Sequence, residues 1–509
     1  MYEKYLSLFY KELPLEESFD LLERKLVIGG RNATCFFVDG LTNGDLMQRV
    51  LDYLFKVQPQ DMEGITTSRQ FIAAHMPFMD ATLAEPQTPA RPGEPSGKSD
   101  AAPPRNPREW TEDQVYNAYH VAMTRLYSGL VPLMVEGLDR IIIIDARDYP
   151  SRSVEEPQKE KSLRGARDGF TEGFMTNIAL IRRRLRDNNL IFSHYTIGHL
   201  SKSDVAMVYM KGKADDRLIS HIGGLLKQME TEPDLDALTV GDQSLLEKIL
   251  LSTRKEKGGR GTAGGRFNPF PKVRYSQRPD IIAAHIAEGK IAIIVDNSPT
   301  VMLVPVGIFD FLQDVDDYYF PQLTGNYFRL IRLVNFVVIL FLTPVYMVLV
   351  ENQNLTPEIL KFFVPQEEFA IPLFWQFILL ELAVDALKLA SLNTPESLGM
   401  SLSVIGALIL GEFSINSGWF IPQTILCMAV VALAGFTQPS IELSYSVKFT
   451  RIGMLVGAYV LGVWGIILGG AASFLVMAST RTLSGDPYLY PLVPFQWSAL
   501  KRLIFRTSM

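Results

Sequence analysis

Three charged residues with helical spacing lie within an apolar part of the sequence. Glu381, Asp385 and Lys388 stand at positions i, i+4 and i+7, so a helix would place them along one face. An ionisable group at bilayer depth costs on the order of 3 kcal/mol unless it faces water or a partner. In a ring of identical subunits this face would line a pore, where carboxylates favour cations. The alternative is a salt bridge inside a helix bundle, between Asp385 and Lys388 with Glu381 hydrogen-bonded nearby, and the residues alone favour neither.

A fourth candidate for an ion path, Glu412, lies at a break in the apolar sequence. It follows Gly406 and Gly411, and the apolar run before it, 398–410, is too short to span a bilayer. Short apolar segments interrupted by glycine can form broken or re-entrant elements around an ion path. A solvent-exposed hairpin tip would have the same composition, so both interpretations stay open.

The apolar block at residues 329–480 must position these carboxylates. Uncharged segments such as 333–350 and 452–480 have the composition that a membrane helix of about 20 residues requires. Basic residues flank the block on both sides, and positive-inside counting therefore predicts that both ends lie in the cytosol, with an even number of crossings, about four. These residues are Arg329, Arg332, Arg481, Lys501, Arg502 and Arg506. Lys448 and Arg451 lie inside the block and contradict the simplest version of this topology.

Small residues recur with a spacing of four in the last apolar segment. Gly453 with Gly457, and Gly465 with Gly469, form two such pairs. Small residues at this spacing allow helices to approach closely in a membrane. We therefore predict that these glycines serve helix packing and have no part in binding an ion.

Composition sets limits on the class of protein. The chain has 509 residues, of which 48% are hydrophobic and 20% are charged, too apolar for an ordinary soluble enzyme and too charged for a wholly embedded protein. A net charge of −6 gives no argument for a nucleic-acid partner. Two cysteines, Cys35 and Cys427, support neither a disulfide framework nor a metal site. No catalytic motif is visible, so we expect no enzyme, metal or cofactor.

The fold class predicted from these patterns is an α+β N-terminal region, made of two small α/β subdomains, followed by a multi-span α-helical membrane domain. A segment rich in Pro, Ala, Gly and Ser predicts a disordered linker, and a basic, glycine-rich insert predicts a flexible loop. The boundaries are 1–82 for the first cytosolic subdomain, 83–109 for the linker, 110–253 for the second subdomain, 254–268 for the insert, 269–328 for a connector, 329–480 for the membrane domain and 481–509 for a cytosolic tail.

Arginines and carboxylates are densest at residues 151–187, outside the apolar block. Arginine beside a carboxylate favours bidentate pairing, which would suit an anion or small-ligand pocket. We favour the alternative, in which ion pairs dock one subdomain or subunit on another. The candidate contact residues, here and further along the chain, are Arg164, Arg167, Arg182, Arg183, Arg278 and Asp280.

Many short motifs stand in a characteristic order along residues 138–490. In the N-terminal region they are Glu156-Pro157, Arg164-Gly165, Gly169-Phe170, Asn177, Arg182-Arg183-Arg184-Leu185, Ser201-Lys202, Pro269-Phe270-Pro271, Arg278-Pro279-Asp280, Asp296 with Pro299, and Asp317-Tyr318-Tyr319. In the apolar block they are Ile371-Pro372-Leu373, Leu380-Glu381, 385–390, Asn393-Thr394-Pro395 and 403–406. Together these motifs resemble the A-subunit family of bacterial spore germination receptors. Within the family, 411–414 and 416–420 are most similar to the stage V sporulation protein AF branch. The sequence departs from the family at Ala166, Asp168 and Ser203-Asp204.

The resemblance implies a multi-pass protein of the inner spore membrane with both termini in the cytosol. Family members work with B-type and C-type receptor subunits, and are thought to form homo-oligomeric channels that release monovalent cations at germination. The stage V branch would be an accessory that amplifies this signal, with another germination membrane protein and the phospholipid membrane as its partners. With this resemblance we favour the pore for Glu381 and Asp385. The alternative function is a membrane-tethered sensor or scaffold that assembles receptor complexes without conducting ions.

Overall fold

The protein is described here by a computed structural model that covers residues 1–77, 79–86, 110–148, 160, 163–197, 202–231, 268–314, 316–352, 358–365, 370–393, 406 and 408–504. Most of the predicted linker and of the glycine-rich insert lies outside these residues. The chain divides into two compact units. The first consists of Met1–Lys161, Ala166–Ser252 and Tyr275–Val304, and the second of Ser162–Gly165, Thr253–Arg274 and Pro305–Met509.

The first unit begins with a five-stranded antiparallel sheet of order β1-β2-β4-β5-β3. Its elements are α1 (Tyr2–Glu12), β1 (Leu21–Ile28), β2 (Arg31–Val38), α2 (Gly44–Leu54), α3 (Ser68–His75), β3 (Ala81–Leu83), α4 (Glu112–Leu126), β4 (Val131–Val135) and β5 (Ile142–Ile144). One face of the sheet packs on α1 and α4, and the other packs on α2 and α3. Both faces are therefore covered, which explains why β4 and β5 are apolar at every position and fully buried.

The second sheet of the first unit has the order β6-β7-β9-β10-β8. Its elements are α5 (Phe174–Arg184), β6 (Leu190–Ile197), β7 (Ser203–Met210), α6 (Asp216–Thr231), β8 (Arg274–Ser276), α7 (Pro279–Ala287), β9 (Ile291–Val295) and β10 (Val301–Val304). Helix α5 packs on α7 and β9. The two sheets confirm the predicted fold class of the N-terminal region.

The sheets divide the chain differently from the predicted boundaries. β4 and β5, which were expected in the second subdomain, pair with β2 and β3 of the first sheet. Likewise β9, which was expected in the connector, pairs with β7. An apolar strand carries no local signal for its partner, since the pairing is decided by backbone hydrogen bonds across long stretches of chain. Segment order along the sequence therefore misplaces these strands.

The second unit is helical. It contains α8 (Ile308–Leu312), α9 (Asp316–Tyr319), α10 (Gln322–Glu351), α11 (Leu373–Asn393), α12 (Ser414–Asn416), α13 (Pro422–Phe436), α14 (Ile441–Leu461), α15 (Val463–Ser479) and α16 (Trp497–Ile504), with a 3₁₀ turn at Glu358–Phe363 and a π-helical turn at Leu408–Phe413. Helix α10 packs on α13 and α14, and α14 packs along α15.

Among the described residues, α10 is the helix that is both long and apolar enough to cross a membrane. Helices α13 and α15 are apolar but shorter, with 15 and 17 residues. Helices α11 and α14 have 21 residues each, and each carries three charged side chains. The expected number of crossings stays a prediction.

The segment 452–480, which was expected to be one span, forms the end of α14 and the whole of α15. The two helices meet at Gly462, whose φ of +60° is a conformation that favours glycine. Gly457 and Gly465 then face each other across the hairpin, and a Cβ on Gly465 would lie 1.9 Å from the Gly457 carbonyl oxygen. Gly469 packs against Met454, whereas a Cβ on Gly453 would meet no atom within 4 Å.

Candidate functional site

Helix α11 presents Glu381 and Asp385 to two basic residues of α14. The Arg451 guanidinium donates a hydrogen bond to the Glu381 carboxylate. The Lys448 ammonium pairs with the Asp385 carboxylate and lies 3.2 Å from Glu381 Oε2. We call these four residues the charge cluster. It contains two negative and two positive side chains and is neutral as a whole.

Complementary helical spacing brings the charge cluster together. Glu381 and Asp385 are four residues apart on α11, and Lys448 and Arg451 are three residues apart on α14, so each pair occupies one face of its helix. A third helix joins them, since Arg451 Nη1 also donates to the Ile339 carbonyl oxygen of α10 at 3.0 Å. The cluster therefore lies where three helices meet.

Burial differs between the two ends of the charge cluster. The side chains of Glu381 and Arg451 are each 4% exposed, whereas that of Asp385 is 28% exposed. Among the described residues, Asp385 Oδ1 and Arg451 Nε have no hydrogen-bond partner. Removing one partner of a buried pair typically costs about 3–5 kcal/mol because the other charge stays buried. Asp385, the more exposed carboxylate, can thus exchange its basic partner for another cation at a lower free-energy cost than Glu381 can.

Lys388 lies outside the charge cluster. Its ammonium is 5.2 Å from the centre of the Phe436 ring and 5.9 Å from that of Tyr445, distances that suit a cation–π interaction. The salt bridge considered between Asp385 and Lys388 is therefore replaced by pairs with α14. The sequence does mark Lys448 and Arg451 as basic residues at helical spacing in an apolar segment, but it does not say which carboxylates they pair with.

Glu412 is exposed on the π-helical turn Leu408–Phe413. Gly406, before this turn, lies against Leu387 of α11, and Ile421, after it, donates its amide hydrogen to Gln376 Oε1 at 3.1 Å. The segment with Glu412 therefore runs beside α11, from the level of Leu387 to the level of Gln376. Glu412 is not among the contacts of the charge cluster in the described residues.

Gln376 fixes the start of α11 against α13. Its side chain is fully buried, accepts hydrogen bonds from the Ile421 amide and the Thr424 hydroxyl (2.9 Å), and donates to the Ile371 carbonyl oxygen at 2.8 Å. A buried amide with each of these groups paired holds the helix in one register. Sequence analysis missed Gln376, because a single glutamine at the start of an apolar helix carries no periodic signal.

A second buried charged group lies at the start of α10. Asp317 of α9 is fully buried and accepts two hydrogen bonds of 2.7 Å from Arg332. Arg329 Nε lies 3.4 Å from the same carboxylate. Both arginines supported the predicted orientation of the membrane domain, and one of them is now seen to be neutralised by a carboxylate.

Arg182, a candidate contact residue of the first unit, is held by an ion pair and by two aromatic rings. It is fully buried, with its guanidinium 2.8 and 2.9 Å from the two carboxylate oxygens of Asp20. The rings of Tyr127 and Phe192 lie 5.1 and 4.8 Å from the guanidinium. Because Asp20 leads into β1 and Arg182 belongs to α5, this ion pair joins the two sheets. Asp20 was missed, since nothing in the sequence links residues 162 positions apart.

The other candidates of the first and second units differ in burial. Arg278 forms a two-point ion pair with Asp280, at 3.0 and 2.8 Å, and also donates to the carbonyl oxygens of Glu160 and Ala166. Arg164, Arg167 and Arg183 are exposed. Paired arginines therefore hold loops in place here, and their role in subunit contacts stays a prediction.

Titratable groups of the first unit are shifted by burial or by pairing. Burial raises the pKa of the Cys35 thiol to about 12, which keeps the thiol protonated and unreactive at neutral pH. A hydrogen bond from Arg147 holds the pKa of the Asp145 carboxyl below its usual value. The described residues contain no group of three or more His, Cys, Asp or Glu side chains arranged to hold a metal ion.

Comparison with known proteins places this arrangement in a family. The family described as "Bacillus/Clostridium GerA spore germination protein" matches residues 11–509. The chain belongs to the GerA spore germination protein family. This confirms the resemblance found in the sequence, and it makes the charge cluster a feature of a germination protein.

Relatives of known name are germination and sporulation proteins. The chain is 34% identical over 384 residues to stage V sporulation protein AF of Bacillus subtilis (strain 168), covering 75% of this chain and 74% of the relative. It is 28% identical to spore germination protein KA of the same organism, covering 75% and 68%. A solved structure, the N-terminal domain of the A subunit of the Bacillus megaterium spore germinant receptor GerK3, is 20% identical with a TM-score of 0.37, covering 59% of this chain and 92% of that one. A likeness at that TM-score adds nothing to the family assignment.

Proposed function

We propose that this GerA family member is a membrane subunit that takes part in cation release during spore germination, and that the charge cluster holds the ion path closed in the described conformation. The observation that carries the proposal is the pairing of the two carboxylates of α11 with two basic residues of α14. The protein would act in the inner spore membrane as a homo-oligomer, together with receptor subunits of the B and C types or an accessory membrane protein. Its similarity to stage V sporulation protein AF favours an amplifier of ion release.

The proposed gate depends on an exchange of cations. In the closed state the Lys448 ammonium and the Arg451 guanidinium occupy the places where cations would bind to the carboxylates. A shift of α14 along α11 would withdraw Lys448 from Asp385 first, because that end of the cluster is the more exposed. A monovalent cation would then replace the ammonium, so that the carboxylate is never left buried without a partner.

A scaffold without conduction is the second candidate. It is favoured by the neutrality of the charge cluster within a single chain, since an ion-paired group of this kind can serve helix packing alone. In that case the first unit, with its two sheets, would bind the other germination proteins, and the helical unit would hold it at the membrane.

Cation flux separates the two functions. Purified protein, alone and with partner subunits, is placed in liposomes, and potassium efflux is compared among wild type, Lys448→Gln and Lys388→Gln. The gate predicts at least about tenfold more efflux for Lys448→Gln, because a shift of about 1.4 kcal/mol between closed and open states changes their ratio tenfold. Lys388→Gln is the matched control, since among the described residues Lys388 contacts the aromatic rings and not the cluster.

Two outcomes would decide against the gate. Equal efflux from Lys448→Gln and Lys388→Gln liposomes would remove the role of the cluster in closure. If no preparation conducts potassium, with or without partners, the scaffold is the function that stands.

A further inference from the structure

Arg329, near the start of α10, has hydrogen-bonding capacity that its neighbours do not use. Its side chain is only 7% exposed. Nη1 donates to the Leu503 carbonyl oxygen at 3.2 Å, and the Tyr318 ring lies 4.9 Å from the guanidinium. Nη2 is buried and has no hydrogen-bond partner among the described residues. A buried donor left unpaired costs on the scale of a lost hydrogen bond, which points to an occupant that the described residues do not supply.

Arg329 is paired less closely with the nearby carboxylates than Arg332 is. Both oxygens of Asp317 are engaged by Arg332 at 2.7 Å, and Arg329 Nε reaches the same carboxylate only at 3.4 Å. Asp314 lies 3.6 Å from Arg332, and Asp316 accepts a hydrogen bond from the Leu163 amide. Arg332 is thus the closer partner of Asp317, and among the described residues Arg329 keeps one buried donor, Nη2, that an anion could accept.

A small cavity lies beside these two arginines. It has a volume of about 50 Å³ and is lined by Phe309, Leu312, Gln313, Leu333 and Leu503 in addition to Arg329 and Arg332. At about 10–15 Å³ for each water, this is room for about three to five waters, and so for a group of a few non-hydrogen atoms such as a phosphate. Apart from the arginines and Gln313, its lining residues are apolar. A phosphate attached to an apolar tail fits such a cavity better than a fully hydrated ion does.

The cavity lies at the end of α10 where charged residues give way to the uncharged stretch 333–350. Exposed aromatic side chains belong to the same unit and flank this region in the chain, namely Tyr318, Tyr327 and Trp497. Exposed tyrosine and tryptophan are enriched where lipid headgroups meet water, and basic pockets beside membrane helices bind acidic headgroups. These positions suit the depth of a phospholipid phosphate.

We propose that this cavity binds the phosphate of an anionic phospholipid. Arg329 Nη2 donates a charge-assisted hydrogen bond to a phosphate oxygen, and Leu333 and Leu503 pack against the apolar part of the lipid. Because Arg329 of α10 also contacts the Leu503 carbonyl oxygen of α16, a bound lipid would link these two helices. This proposal rests on the membrane placement in the proposed function, but it does not require conduction.

Thermal unfolding of the full-length protein in neutral detergent tests the site. Phosphatidylglycerol, phosphatidylcholine and inorganic phosphate are added in separate titrations. We expect phosphatidylglycerol to raise the unfolding midpoint, and the other two to leave it unchanged. Arg329→Gln should need at least about tenfold more phosphatidylglycerol for half of the effect, since it loses a charge-assisted hydrogen bond. Arg481→Gln is the matched control, because Arg481 is an exposed arginine of the same unit that does not line the cavity.

Leu333→Trp guards against a folding defect in Arg329→Gln. It fills the cavity and keeps both arginines, so it should also lose the response to phosphatidylglycerol. An unchanged response in Leu333→Trp, or in a folded Arg329→Gln, would overturn the site. An equal rise with phosphatidylcholine would overturn the preference for an anion, and an equal rise with inorganic phosphate would assign the site to free phosphate. None of these titrations depends on ion flux. The lipid site can therefore be disproved while the proposed gate is supported, and the gate can be disproved while the lipid site is supported.

Discussion

Arg451 is the residue whose removal should tell most about the charge cluster. Arg451→Met leaves Glu381 buried without its main partner, and we expect a loss of about 3–5 kcal/mol in the free energy of unfolding. The double variant Arg451→Met with Glu381→Met removes both charges and should recover most of that loss, because a buried ion pair can often be replaced by apolar side chains at little cost. Denaturant unfolding of the purified protein in detergent measures both. If the double variant is as unstable as the single one, pairing with Glu381 is not what Arg451 contributes.

At the scale of single residues, sequence could predict a shared face but not the partners on the other helix. The spacing of Glu381, Asp385 and Lys388 placed them on one helix, and α11 contains all three. Their neighbours Lys448 and Arg451 follow 63 and 70 residues later. Local periodicity has no information at that distance, since the packing of α11 on α14 decides the contact. Asp20 was missed for the same reason.

The hairpin of α14 and α15 gives a prediction at the scale of elements. Gly465→Ala places a methyl group 1.9 Å from the Gly457 carbonyl oxygen, so the helices must separate and a drop of several degrees in the unfolding midpoint is expected. Gly453→Ala is the matched control in the same hairpin, because its Cβ meets no atom within 4 Å. Alanine favours a helix over glycine by about 1 kcal/mol, so this control should be neutral or slightly stabilising. Similar midpoints for the two variants would contradict the close packing at Gly465.

Elements themselves were easier to predict than their arrangement. The uncharged stretch 333–350 predicted a helix where α10 lies, and the spacing of Glu381, Asp385 and Lys388 predicted one where α11 lies. Hydrophobicity alone does not mark a reversal inside an apolar run, so 452–480 gave one expected span where Gly462 divides two helices. Nor does it choose a sheet for strands such as β4 and β5, which are buried on both faces.

The path of the chain through the helical unit follows from contacts between helices. Gln376 of α11 contacts Thr424 near the start of α13, and Lys388 contacts Phe436 at its end, so these two helices run parallel. The chain must therefore return beside them between Gly406 and Ile421. Helix α14 runs antiparallel to α11, since Phe374 stacks on Tyr459 while Lys388 meets Tyr445. In the part of the helical unit that the structure describes, the return segment together with α10, α11, α13, α14 and α15 makes six passages between two levels.

Because six is an even number, we expect the start of α10 and the end of α15 to lie on the same side of the membrane. This agrees with the predicted cytosolic position of both termini, although it needs more passages than the four expected from hydropathy. Cysteine labelling in intact cells checks it, because Cys35 and Cys427 are buried. A membrane-impermeant maleimide should label Leu461→Cys, at the turn between α14 and α15, without permeabilisation. It should label Tyr490→Cys, after α15, only once the membrane is opened. Labelling of both positions from outside would mean that α15 does not cross the membrane. With a cytosolic N-terminus the number of crossings would then be odd, and the proposed ion path between α11 and α14 would have to be traced again.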